Sequence, residues 1–109
     1  MILDFSSMEE TIIKNFKGGE KEIHAKMFDD GQNRILYGTL EPGASIGLHK
    51  HTANSEIIYF LEGKGKIIFD GENFPVQKGE CHYCPSDHSH SLINDSSSPL
   101  VFFAVIPEK

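Results

Sequence analysis

The chain is a succession of short apolar or alternating stretches, cut by turn residues at close and regular intervals. Glu22–Phe28, Asn33–Leu40, Glu56–Leu61, Lys66–Asp70, Asn73–Gln77, Glu80–Cys84, His90–Asn94 and Leu100–Ile106 carry the strand pattern. Asp29-Asp30-Gly31-Gln32, Glu41-Pro42-Gly43, Glu62-Gly63-Lys64-Gly65, Asp70-Gly71-Glu72, Lys78-Gly79-Glu80, Pro85-Ser86-Asp87 and the polar run from Asn94 to Pro99 punctuate it. Short strands with a turn roughly every 8–12 residues predict an all-β sandwich or barrel. Asp70-Gly71 is the sharpest hairpin signal, because a type I′ turn needs positive φ and Gly adopts it cheaply. It should join Lys66–Asp70 to Asn73–Gln77. Pro75 has no N–H for a sheet ladder, so the second of these strands is expected to be short or at an edge. Leu100–Ile106 and Glu56–Leu61 are apolar on both faces and need cover on both, in a closed barrel or at a dimer interface. Ser7-Met8-Glu9-Glu10 resembles a helix capping box. The apolar pattern after it is short, which predicts one helical turn at most or an extra strand arm.

At 109 residues the chain suits a single domain over 1–109. Its hydrophobic fraction of 39% and charged fraction of 24% fit a globular protein that builds a core without disulfides. The net charge of −6 opposes nucleic acid and anionic membrane surfaces as partners, and the lysines form no basic patch. No apolar run approaches the roughly 18 residues of a membrane span. Met1 to Glu10 has neither the basic start nor the apolar stretch of a signal peptide, so a cytoplasmic location is expected.

Histidine is concentrated in one stretch of the chain. Five of the six histidines fall between His49 and His90. His49 and His51 are one residue apart, which on a strand puts both imidazoles on one face with Cα atoms about 6.5–7 Å apart. Metal–nitrogen bonds of about 2.0–2.1 Å let two such rings converge on one ion. Thr52-Ala53-Asn54-Ser55 is small and polar enough to reverse the chain, and Glu56 can then return a carboxylate to the same point. His90, after a second turn and at the start of another strand, is a candidate fourth ligand.

These residues resemble the cupin superfamily. Its first motif, G-x5-H-x-H-x(3,4)-E-x6-G, is matched by Gly43, His49, His51, Glu56 and Gly63. Its second, G-x5-P-x-G-x2-H-x3-N, is matched by Gly79, Pro85, His90 and Asn94, with Asp87 in place of the central Gly. Asp tolerates left-handed backbone better than most residues, so the substitution is mild. The resemblance implies a double-stranded β-helix, or jelly-roll barrel, with the motifs at 43–63 and 79–94. It implies that His49, His51, Glu56 and His90 ligate a metal. Three imidazoles and a carboxylate suit one divalent transition ion (Fe, Mn, Ni, Co, Cu or Zn) better than Ca or Mg. About two positions on an octahedral ion would stay open for a ligand.

The expected function is a metal-dependent enzyme on a small oxygen-rich molecule, of dioxygenase, decarboxylase, isomerase or lyase type. The alternative is a non-catalytic binding or sensing module with a structural metal. A homodimer is expected through the two-sided apolar strands. Cys81 and Cys84 lie at i and i+3 of a strand and face opposite sides, which opposes a disulfide or joint chelation. Two buried small residues are expected there. His82 shares a face with Cys84, and either face could be the inner one. His88 is expected in a solvated loop at the barrel mouth, outside the ligand set. Gly47 is expected to allow close packing under the site.

Overall fold

The computed structural model describes residues 1–108. Two antiparallel sheets enclose one core. The first runs, in spatial order, β1 (Thr11–Lys14), β2 (Glu22–Asp29), β3 (Asn33–Leu40), β10 (Leu100–Pro107), β5 (Glu56–Glu62) and β8 (Cys81–Cys84). The second runs β4 (Ser45–Lys50), β9 (Ser89–Ile93), β6 (Lys64–Phe69) and β7 (Glu72–Gln77). This is the jelly-roll barrel that the turn spacing and the motifs predict.

β10 is central and pairs with both β3 and β5. Its inward residues Leu100, Phe102 and Ala104 are fully buried, and its outward ones are half-buried. The outward apolar face has partial cover from Phe5, whose ring lies 6.0 Å from Phe103 and 5.5 Å from Tyr37. On β5 the alternation is sharper: Ile58 and Phe60 enter the core, while Ile57 and Tyr59 stay exposed.

The hairpin forms as expected, with Asp70 at φ 48 and Gly71 at φ 85 joining β6 to β7. β7, which contains Pro75, is the outermost strand of its sheet. Asp87 has φ 71, so it adopts the left-handed conformation for which the motif carries Gly. Asn94 is fully buried and ties a loop together. Its Nδ2 donates to Leu40 O and Ser98 O at 2.8 Å each, and its Oδ1 accepts from the N–H and Oγ of Ser96.

One open alternative is settled, in favour of the strand arm, and two expectations change. The capping box does not form. A 3-10 turn at Phe5–Ser7, η1, is capped instead by Asp4, which accepts the Ser6 N–H at 3.1 Å. Thr11–Lys14 then pairs with β2 as a strand arm, satisfying its backbone without a helix. β4 is a strand in its own right, outside the eight apolar stretches. Cys81 is exposed and only Cys84 is buried, because β8 turns His82 and Cys84 inward and Cys81 and Tyr83 outward.

Candidate metal centre

A bulge aims the first histidine. Ile46 pairs with Leu92 and His49 with His90, so β4 takes three steps where β9 takes two. The extra residue bends the strand locally. It leaves Leu48 facing out and sets His49 opposite His90. Ser91 Oγ, donating to Ile46 O at 2.6 Å, supports the bulge from β9. His51 lies just past β4, the turn at Thr52–Ser55 reverses the chain, and buried Glu56 opens β5. Each group thus comes from the end of a strand on the same side of the barrel.

The four groups converge, with one donor atom from each lying within 4.8 Å of all the others. His51 Nε2 is 3.0 Å from Glu56 Oε1 and 3.0 Å from His90 Nε2, and His90 Nε2 is 2.9 Å from the same carboxylate oxygen. The other ring nitrogens decide what these atoms are. His49 Nδ1 meets Gly47 O at 2.8 Å, and a carbonyl only accepts, so this nitrogen carries the proton. His51 Nδ1 donates in the same way to Asn54 Oδ1. In their neutral forms both rings therefore present the Nε2 lone pair inward, and a proton taken up at His51 Nε2 is the one shared with Glu56. Lone pairs and a carboxylate at such distances repel unless a cation or shared protons lie among them. The donor set fits a transition metal on chemical grounds: imidazole nitrogens with outer partners that fix their orientation, and one carboxylate.

The charges agree. Burial alone would raise the Glu56 carboxyl, but hydrogen bonds from His51 and His90 outweigh it and hold it at about 2. The bond to that carboxylate raises His51. Burial lowers His49. An ionised Glu56 beside histidines that can lose their protons is ready for a cation.

Behind His90 stands His82, whose Nε2 is 2.9 Å from His90 Nδ1. Burial, with the charge of His90 next, pushes His82 down to about 4, so near neutral pH it is an uncharged acceptor. It can receive the His90 Nδ1–H and turn the His90 Nε2 lone pair toward Glu56, as Gly47 and Asn54 do for the other two rings. The inner face of β8 is thus the one carrying His82. His82, Cys84 and His90 also lie close together. Burial pushes the Cys84 thiol up to about 11, which suits a packed thiol better than a thiolate ligand. His88 is in a loop and outside the cavity lining: its Nδ1 pairs with Asp70 and its ring stacks on Phe69 at 5.5 Å.

The cluster forms one wall of a cavity of ≈ 190 Å³. Ile46, Ile58 and Leu92 are among its apolar lining residues, and Lys17, Arg34 and Lys50 are its cationic ones. The four residues that converge are those the sequence motifs single out, whereas Asn54 reads there only as a turn residue and the cationic lining has no sequence signal.

A cupin-domain family profile matches residues 36–106. An oxalate-binding protein of Thermotoga maritima is 33% identical over 112 residues, covering 97% of this chain and 93% of that protein. A crystal structure from Thermotoga maritima, described as a predicted oxalate decarboxylase, superposes with a TM-score of 0.94 at 31% identity, covering 100% of both chains. An oxalate decarboxylase of Bacillus subtilis is 35% identical over 75 residues, 64% of this chain but 20% of that one. The profile and the near-full-length relative establish the kinship that the motif residues imply: this chain belongs to the cupin family.

Proposed function

We propose that the protein binds one divalent transition-metal ion on His49, His51, Glu56 and His90, and uses it to hold and transform a small oxygen-rich molecule in the adjoining cavity. The observation that carries this reading is the convergence of His51 Nε2, His90 Nε2 and Glu56 Oε1 within 3.0 Å of one another. When bound, such an ion supplies Lewis-acid polarisation of ligand oxygens, or redox chemistry if it is iron. The chain's own part is to orient the rings through Gly47, Asn54 and His82, to keep Glu56 ionised and to exclude water with the apolar lining.

Oxalate is the first ligand to test, given the names of the relatives. A second reading, non-catalytic binding, has one observation in its favour: the relative matching 97% of this chain is named for binding. Thermal unfolding of metal-loaded protein with oxalate and other compact oxyacids tests the ligand class. Ligand at about 100 times Kd should stabilise by about 2.7 kcal/mol. Stabilisation with turnover supports the enzyme, and stabilisation without turnover supports the binding module. No shift with any oxyacid overturns both.

The proposal includes a homodimer. Ile57, Tyr59 and Tyr83 form an exposed apolar patch where β5 adjoins the edge strand β8, and a second copy would cover it. Light scattering at micromolar concentration should give twice the chain mass. A monomer there refutes the dimer and leaves the metal reading untouched.

A further inference from the structure

The net charge of −6 would lead one to expect acidic groups around any opening in this molecule. The cavity shows the reverse. Lys17, Arg34 and Lys50 line it, and among the described residues the one acidic group on the lining is Glu56, already engaged by His51 and His90. The three cations are not equivalent. Arg34 is paired with Asp29, at 3.1 Å from its guanidinium nitrogen and 3.2 Å from its Nε. Lys50 is at the exposed end of β4. Lys17 has no carboxylate within 4.0 Å among the described residues. Its Nζ lies 5.6 Å from the centre of the Phe16 ring, and Phe16 lines the same cavity.

The backbone of Lys17 is fixed in a way that a free surface turn does not require. Phe16–Gly18 forms a second 3-10 turn, η2, in which Lys17 is left-handed at φ 55 and ψ 29. That conformation is unfavourable for a non-glycine residue, because Cβ crowds the following carbonyl oxygen. The turn is pressed onto β4 at backbone level. A Cβ on Gly47 would collide with the Lys17 carbonyl, and one on Gly19 with that of Ser45. Gly47 is two residues before His49 and also accepts its Nδ1–H. The same glycine therefore orients a ring of the donor cluster and seats Lys17 at the cavity. Strain held in place by such packing is typical of functional positions.

We infer that Lys17 selects a compact anion, of the carboxylate class, by pairing with the end of the ligand that the metal does not hold. This inference rests on the metal reading above. It predicts that affinity depends on ligand charge and on the cation at position 17, with metal content unaffected.

The test is calorimetric titration of malonate and of its neutral analogue malonamide into Mn²⁺-loaded protein, with manganese measured in the same samples. The parent chain should favour malonate. In Lys17→Gln the malonate Kd should rise about tenfold and the preference should collapse, while manganese stays at the parent level. Lys17→Arg should retain the preference. Equal malonate affinity in the parent and Lys17→Gln at full manganese occupancy overturns the role of Lys17 alone. Equal affinity of the parent for malonate and malonamide, or binding of neither, overturns the anion class. A parent chain that holds no manganese overturns the metal reading, and this inference with it.

Discussion

Glu56→Ala should bind divalent metal at least about 100-fold more weakly than the parent chain, because it removes the one anionic group of the cluster. Loss of an outer partner of a ligating histidine already costs about 10–100-fold, and Glu56 is proposed as a ligand itself. Stability should fall as well. The buried carboxylate stands between His51 and His90, and removing one member of such a buried charged set costs about 3–5 kcal/mol. Glu56→Gln keeps the volume and separates the two effects: its fold should survive better than that of Glu56→Ala while its metal content falls. Metal titration followed by elemental analysis, with denaturant melts alongside, reads both. Unchanged occupancy in Glu56→Ala and in His51→Ala would refute the ligand assignment.

Acidification should strip the ion, with His51 setting where the loss begins. The hydrogen bond to Glu56 raises His51 above 6.5, so below that raised value the ion must displace a proton to bind. Affinity should fall about tenfold per pH unit for this one proton, and more steeply once His49, lowered by burial, joins it. Glu56, held at about 2, stays ionised throughout and is not the trigger. The ion should be released by about pH 5. The metal-free fold responds differently. A protonated His51 stabilises it at low pH, a contribution lost as pH rises through the raised value. Glu56 stabilises it above 4.5, a contribution lost as pH falls from 4.5 towards 2. Competition with a coloured chelator across pH 4–8 measures the metal side, and unchanged affinity at about pH 4 would contradict it.

Much of the barrel is legible along the chain because its devices are local. Asp70-Gly71 specifies its own turn, and Pro75 marks an edge strand wherever it falls. His49, His51 and Glu56 are legible as a cluster from their spacing, and His90 joins them mainly through the motif resemblance, with Asp87 adopting the left-handed conformation itself. β4 resists reading because its bulge at Gly47 and Leu48 breaks the alternation that defines a strand. η2 resists because the left-handed residues at its cap and centre, Asn15 and Lys17, are not glycines, and the contact that seats the turn is with β4, some thirty residues on. The inner face of β8 is ambiguous because Cys-His-Tyr-Cys offers one cysteine and one aromatic ring to each side. Packing of His82 against Phe69 and His90 resolves it, and those partners come from β6 and β9. The capping box fails because pairing with β2 satisfies the backbone of Thr11–Lys14 better than an isolated helical turn would.

The central claim is that His49, His51, Glu56 and His90 form one metal site. Its most direct test is elemental analysis of the parent chain, purified without a nickel column at neutral pH. About one divalent transition ion per chain is expected. A protein that remains metal-free after incubation with each candidate ion, with all four residues intact, would contradict it.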